Sequence, residues 1–454
     1  MPTMRLIAAG IAAVTCGVAL AACSEMAQLP FTAGVGPAPT IPEPNPTLVP
    51  TIDIAPAKGW PDGQKPVAAQ GTNVSAFAKD LEHPRWIYVL PNGDVLVAES
   101  AAPPKPESAG GGIKGWFKSR ALKKAGSAVP SANRITLLRD ADGDGAPEVR
   151  TTFLEGLNSP FGMVLVGNDF YVANCDAIVR FPYRAGETRI TAAGTTVTEL
   201  PAGINHHWTK NLIASRDGSK LYVTVGSNSN VAERGMEAEE GRAAIWEVDR
   251  KSGEKRLFAT GLRNPNGLAW ERETGALWTV VNERDELGSD LVPDSLTSVK
   301  QGAFYGWPYS YFGQYVDKRA QPARPDLVEK AVVPDYALGT HVAPLGLAAS
   351  DGASLPPPFQ KGMFIGQHGS WNRKPRSGYN VIFVPFSGGQ PSGNPVEVLN
   401  GFVGQKGEAY GRPVGVAIDK RGALLVADDV GNVVWRVTAA GPNASVAGAA
   451  PGNR

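Results

Sequence analysis

Seven residues of this 454-residue chain are of types, and stand in places, that could do chemistry. His207, Arg263, Asn264, Asn266, His341 and Arg412 sit in short turns near apolar stretches, and Arg373 follows the fifth such stretch. A turn by itself needs only Gly, Pro, Asn or Asp. Several Arg side chains brought together suit a planar ligand with more than one carboxylate, because a guanidinium is a rigid two-pronged donor. An imidazole beside them titrates near neutrality and can take a proton from a hydroxyl. Each residue also has a structural reading. Asn264-Pro265-Asn266-Gly267 makes a turn unaided, an Arg there can bond a neighbouring element, and the histidines can be satisfied packing groups. Their recurrence at equivalent points of a repeat favours a site.

That repeat is what must position them. A turn marked by Pro or His leads into a short apolar strand, then a Gly turn, then a second apolar strand. Copies open at His83-Pro84-Arg85, Ser159-Pro160-Phe161-Gly162, His206-His207, Asn264-Pro265-Asn266-Gly267, Ala343-Pro344-Leu345-Gly346 and Arg412-Pro413-Val414-Gly415. Six copies, spaced by roughly 50 to 80 residues, predict an all-β, six-bladed β-propeller of four-stranded blades with loop insertions. The 53 Gly and 38 Pro agree, since so many backbone punctuators imply many turns and short strands. In a propeller the turns before the first strands ring a central channel, so distant residues converge.

Four further segments carry a resemblance. Arg263-Asn264-Pro265-Asn266-Gly267-Leu268-Ala269, Asn282-Glu283-Arg284-Asp285-Glu286-Leu287-Gly288, Tyr305-Gly306-Trp307-Pro308 and Gly369-Ser370-Trp371-Asn372-Arg373 are similar to signatures of the pyrroloquinoline-quinone (PQQ) dependent sugar dehydrogenases. The match is closer to the sorbosone dehydrogenase-like branch, related to soluble glucose dehydrogenase and fungal pyranose dehydrogenases, and covers about Asn73 to Val437. The resemblance implies a six-bladed propeller and gives the residues roles. His207, favoured over His206 by its spacing to Leu212, would be the general base for the sugar C1 hydroxyl as hydride passes to the quinone. Arg263 would stabilise charge at the reacting carbonyl. Asn264, Asn266, His341, Arg373 and Arg412 would contact the cofactor. A Ca²⁺ would be held by the backbone carbonyls of Glu283 and Arg284, as a hard ion that polarises the quinone. The chain departs from the glucose enzyme at Asn266 (Gln there), His341 (Thr), Tyr410 (Arg) and Glu283-Arg284 (Gly-Pro), which puts glucose itself in doubt.

Asp140-Ala141-Asp142-Gly143-Asp144-Gly145 opens like a calcium loop, but Thr151 stands at the twelfth position where an acidic ligand is expected. Asp-Gly pairs also make hairpin turns, and the turn is the favoured reading. Lys plus Arg (44) and Asp plus Glu (43) nearly cancel, which gives no electrostatic case for a nucleic-acid partner.

The N-terminus reads as an export signal over 1–22: Arg5, an uncharged apolar run, then Leu20-Ala21-Ala22-Cys23, similar to a bacterial lipobox with Cys23 lipidated. Ser24 fits outer-membrane delivery on the periplasmic side. Residues 23–65 read as a Pro- and Ala-rich tether, 66–438 as the propeller, 101–130 as a surface insertion and 439–454 as a disordered tail. Cys175 would remain as a lone, buried thiol. The partners expected are a small sugar, the membrane through the lipid, and an electron acceptor, either a quinone or a periplasmic carrier. Two other functions stay open: a Ca²⁺-dependent lactonase or esterase, against which the arginines argue, and a non-catalytic binding lipoprotein.

Overall fold

Short runs of alternating β-branched and aromatic residues, cut by Gly and Asp turns, pair into six antiparallel sheets arranged as the blades of a β-propeller. The computed structural model describes residues 25–47, 51–104, 120 and 123–441. The export segment 1–22, Cys23, most of the 101–130 insertion and the end of the tail from 442 lie outside the described residues. Blade 1 runs from Pro84–Val89 through Val95–Glu99 and Arg134–Arg139 to Val149–Leu154. The innermost strands of blades 2 to 6 are Met163–Val166, Leu212–Ala214, Pro265–Trp270, Pro344–Ala349 and Pro413–Ile418. Blade 6 borrows its outermost strand, Thr72–Ala78, from the start of the domain. It pairs antiparallel with Val433–Ala439 and closes the ring. That last strand reaches one residue into the span read as tail.

The repeated Gly of the opening turns has a purpose that turn chemistry does not explain. A Cβ on Gly162 would lie 2.3 Å from Leu212 N, on Gly267 2.6 Å from Leu347 N, on Gly346 2.2 Å from Val414 O and on Gly415 2.8 Å from Arg85 O. Each clash is with the backbone of the next blade's inner strand. Glycine therefore lets the inner strands crowd the axis. Between blades, apolar side chains fill the wedges. Trp86 packs on Phe161 at 5.0 Å between ring centroids, and Trp278 on Phe386 at 5.0 Å. Each such side chain, fully buried, stabilises the fold by about 1.5–3 kcal/mol.

The Pro-rich strip expected to be a free tether is tied to the propeller at several points along its described length. Val35–Gly36 adds a strand to blade 4, opposite Leu338 and Ala337. Ile54 and Ala55 are buried, and Trp60 Nε1 donates to Asp428 of blade 6 at 2.7 Å. The strip lacks hydrophobic periodicity because it forms almost no element of its own. Its order comes from bonds to blade loops. A second excursion lies between the third and fourth strands of blade 4, Pro293–Ser298 and Tyr336–Thr340, and is pinned by Arg284, which donates to Pro308 O and Ser310 O.

Candidate functional site

The loops that precede each inner strand, and those that join second to third strands, meet at one end of the axis around a cavity of about 330 Å³. Its lining includes His207, Arg263, Asn264, Glu283, His341 and Arg412, so six of the expected residues are brought together from blades 3 to 6. His207 Nδ1 lies 2.8 Å from Ser227 O and 3.1 Å from Ser227 Oγ. The carbonyl can only accept, so Nδ1 carries the proton and Nε2 keeps its lone pair. Burial first, then the charges of Arg263, His206 and Arg242, hold this imidazole well below the ordinary histidine pKa. The imidazole is therefore neutral at pH 7. Gly226 makes room for the pair beside it: a Cβ there would lie 2.4 Å from Asn264 Oδ1 and 2.6 Å from His207 Cβ.

Arg263 is buried and locked in place. It donates to Glu283 O at 2.7 Å, to Asn230 O at 3.2 Å and to Asn230 Oδ1 at 3.1 Å, and lies 3.4 Å from Asp285. His341 Nε2 faces Gly288 O at 3.2 Å, while Nδ1 sits 3.7 Å from Asp285. Arg412 donates to Ala55 O of the strip at 3.2 Å and stacks over Tyr379, 5.1 Å from its centroid.

Three expected residues do not reach the cavity. The guanidinium of Arg373 is engaged by Thr340 Oγ1 at 3.0 Å and Pro375 O at 2.5 Å, and lies over the Phe31 ring of the strip. Asn266 points between blades, donating to Thr209 Oγ1 at 3.0 Å. Arg284, expected at the metal through its backbone carbonyl, is not among the lining residues, and its side chain is fully buried against the blade 4 excursion, Asp317 included. The carbonyl of Glu283, expected to face a metal, accepts from Arg263, which leaves one of its two lone pairs.

The cavity is also lined by His83, Arg85 and His368, which the sequence reading passed over. Behind the lining, Asp429, between the second and third strands of blade 6, gathers Arg85 of blade 1, His368 Nε2 at 2.9 Å and His83 Nε2 at 3.6 Å. Burial alone would raise this carboxyl, but His368, His83 and the permanently charged Arg85 hold it far below the carboxylate range. His368 is itself pushed down to about 4, by burial above all. His83 and Arg85 belong to an opening turn, and His368 stands one residue before a quoted signature, so position in the repeat could have flagged all three. Near Glu283, Asp294 accepts from the Glu283 and Ala343 amides at 2.7 and 2.8 Å. Burial, with the charges of Glu283 and Asp285, raises it to about 8. Trp208 and Trp371 give the cavity two aromatic faces. Ala102, Ala125 and Ser127 of the insertion also line it, so that segment helps wall the mouth.

Four polar atoms of the lining have no protein partner although they are buried: Arg85 Nε, Arg412 Nε, Asn264 Oδ1 and Asn372 Oδ1. Unsatisfied buried groups are costly and rare, so a cavity that collects them is shaped for a polar ligand. Two guanidiniums suit carboxylates. The opposite corner, with the Glu283 carbonyl, the Asp285 carboxylate and the side-chain oxygens of Asp294, offers hard oxygens to a cation. By contrast, the Asp140–Gly145 loop brings Asp140, Asp142, Asp144 and Glu148 together, but spends them on its own backbone. Asp140 accepts from Gly143 N and Gly145 N, Asp142 from Asp144 N, and Glu148 from Ala141 N.

A family model described as TrAA12-like matches residues 132–309 and 316–440. Among curated proteins, an uncharacterized protein of Borreliella burgdorferi is 29% identical over 221 residues, covering 48% of this chain and 57% of that protein. A pyrroloquinoline quinone-dependent pyranose dehydrogenase of Coprinopsis cinerea is 25% identical over 247 residues, covering 43% of this chain and 32% of that protein. The chain thus spans about half, or less, of the curated relatives it matches. Among solved structures, a Trichoderma reesei enzyme of carbohydrate-active family AA12 in a calcium form superposes with a TM-score of 0.66 at 18% identity, over 86% of this chain and 99% of that one. The holo PQQ domain of the Coprinopsis cinerea pyranose dehydrogenase superposes with a TM-score of 0.65 at 19% identity, over 85% and 100%. These structures share the fold.

Proposed function

The chain belongs to the TrAA12-like family, and from that premise we propose that it is a PQQ- and Ca²⁺-dependent dehydrogenase of a sugar or sugar aldehyde, of the sorbosone or aldose type. The observation that carries the reading is the set of unpartnered donors and acceptors in a cavity that also holds a neutral, oriented imidazole. Arg85 and Arg412, with Asn264, would hold the anionic cofactor, and the corner of Glu283 O, Asp285 and Asp294 would hold the cation. Bound there, PQQ with Ca²⁺ supplies the hydride acceptor. The chain's own residues do the rest. His207 Nε2 takes the hydroxyl proton of the substrate, with Ser227 fixing the ring from the other side. Arg263, held by five acceptors, presents positive charge to the reacting centre without having to reorganise. Trp208 offers an apolar surface to a sugar ring on the blade 3 side of the mouth.

The reading extends to location. Export through the 1–22 signal and lipidation of Cys23 would put the enzyme on the periplasmic side, at the outer membrane, where a membrane quinone or periplasmic carrier could remove electrons. Among the described residues no helix is long and apolar enough to cross a membrane.

Calorimetric titration of PQQ into the metal-stripped protein, with and without Ca²⁺, tests the cofactor. Binding that needs Ca²⁺ and weakens by more than about tenfold in Arg412→Ala is the expected result, equivalent to about 1.4 kcal/mol. Arg373→Ala, whose side chain lies outside the cavity, should leave the affinity nearly unchanged. No binding in either condition overturns the dehydrogenase and moves lactone hydrolysis in Ca²⁺ alone to the front.

A further inference from the structure

The described chain begins at the mouth of the channel. Glu25 Oε2 accepts from Ser289 N at 2.7 Å, and Glu25 O accepts from Thr51 Oγ1 at 3.3 Å. Ala27 N donates to Lys374 O at 2.7 Å, and Gln28 N and Leu29 N both donate to Asp290 Oδ2, at 2.6 and 3.1 Å. Ser289 and Asp290 belong to the blade 4 loop that also carries Glu283 and Asp285. Lys374 belongs to the blade 5 loop that carries Trp371 and Asn372. Residue 25 is therefore fixed on the face where the cavity opens. Cys23 is two residues away, and two extended residues reach at most about 7 Å, whereas the 42 residues of a free tether would reach about 150 Å.

Exposed apolar side chains gather at the same place. Met26 is 60% exposed, Ile52 53% and Trp371 37%. Hydrogen bonds tie their segments together, the Thr51 hydroxyl to Glu25 O as above and Asp53 N to Trp371 O at 2.7 Å. Large apolar groups at a rim of this kind, with a Trp among them, suit a membrane interface, where one end of a side chain is apolar and the other wet.

We propose that the channel face of this propeller is held against the bilayer, with the Met26, Ile52 and Trp371 patch seated among the lipid headgroups. The inference rests on the lipidation of Cys23 proposed above. Lipid and patch then act as two weak anchors in one place, and a single acyl anchor gains most from such a second contact. The patch lies on the blade 4 and blade 5 side of the mouth. His206 and Trp208 of blade 3 line another side of the cavity, which this orientation leaves free for a soluble sugar to enter.

The test uses the full-length protein extracted from bacterial membranes and reconstituted into phosphatidylethanolamine–phosphatidylglycerol vesicles. An environment-sensitive fluorophore is placed at Met26→Cys, at Ile52→Cys, or at Lys251→Cys on the opposite face of the propeller. Cys175 is buried and does not compete for label. On vesicles, emission at positions 26 and 52 should shift to the blue, rise at least about twofold and be quenched by brominated lipid, while position 251 stays aqueous. The mass of the N-terminal peptide is read on the same sample. A lipid-bearing peptide with an aqueous label at both 26 and 52 overturns the orientation and leaves the lipoprotein standing. A peptide without lipid overturns both.

Discussion

Arg242 is the residue whose removal should be most informative about how His207 is held. It is buried in the loop after the second strand of blade 3, and burial draws its pKa down only to about 10, so it is charged at neutral pH. Its guanidinium donates to Gly226 O and Pro201 O at 2.9 Å, to Asn205 Oδ1 at 3.2 Å and to His207 O at 3.1 Å. It thus binds the histidine turn to the strand end that leads into Ser227, the partner of His207 Nδ1. Arg242→Met keeps much of the stem volume but leaves four buried acceptors short of a charged donor. Hydrogen bonds to charged groups are worth about 1.5–3 kcal/mol each and are not additive, so a total loss of about 3–5 kcal/mol is expected. Equilibrium denaturation in guanidinium chloride reads that loss. Arg242→Lys keeps the charge and should recover only part of it, because an ammonium cannot span the same fork. The charge of Arg242 is also one of the causes that keep His207 low, after burial, Arg263 and His206. Its removal should therefore raise the His207 pKa, followed by nitrogen NMR of the imidazole. Because the base must be neutral, the acid limb of activity should move to higher pH in the methionine variant. A stability change below about 1 kcal/mol together with an unmoved His207 titration would refute the reasoning.

Two further outcomes follow from the same geometry. Asp429→Asn leaves Arg85 without its buried carboxylate and should cost about 3–5 kcal/mol in the denaturation midpoint. Asp429 has a depressed pKa when folded, so its stabilisation is complete above the unfolded value of about 3.9 and is lost as pH falls below it. The variant should accordingly show a shallower loss of stability between neutral and acid pH, and an unchanged slope would count against an ionised Asp429. Gly226→Ala would force a methyl group against Asn264 Oδ1 and His207 Cβ, with an overpacking cost of about 1–3 kcal/mol. Turnover of the PQQ-loaded protein with an artificial acceptor should fall much further than stability, and wild-type turnover would show that His207 and Asn264 do not need this close approach.

The architecture was legible in the sequence because it is built from local repeats. Each copy carries its own turn, apolar strand, Gly turn and second strand, so six blades could be counted from their separate opening turns. The convergence of His207, Arg263, Asn264, His341 and Arg412 followed from the same fact, since equivalent positions of a closed ring must meet. Side-chain direction did not follow. Arg373 and Arg284 stand in loops whose course is set by what they pack on, Phe31 and Asp290 for one and the blade 4 excursion for the other. The Asp429 cluster joins blades 1, 5 and 6 across sequence separations of 344 and 61 residues, and no local pattern links its members. The strip at 25–65 has the composition of a loose linker and was given its order by bonds to loops hundreds of residues away, such as that from Gln28 to Asp290. Local periodicity determines what a segment becomes. Which distant surface it docks on, and which way its charges turn, is decided only when the ring closes and buried polar groups must find partners.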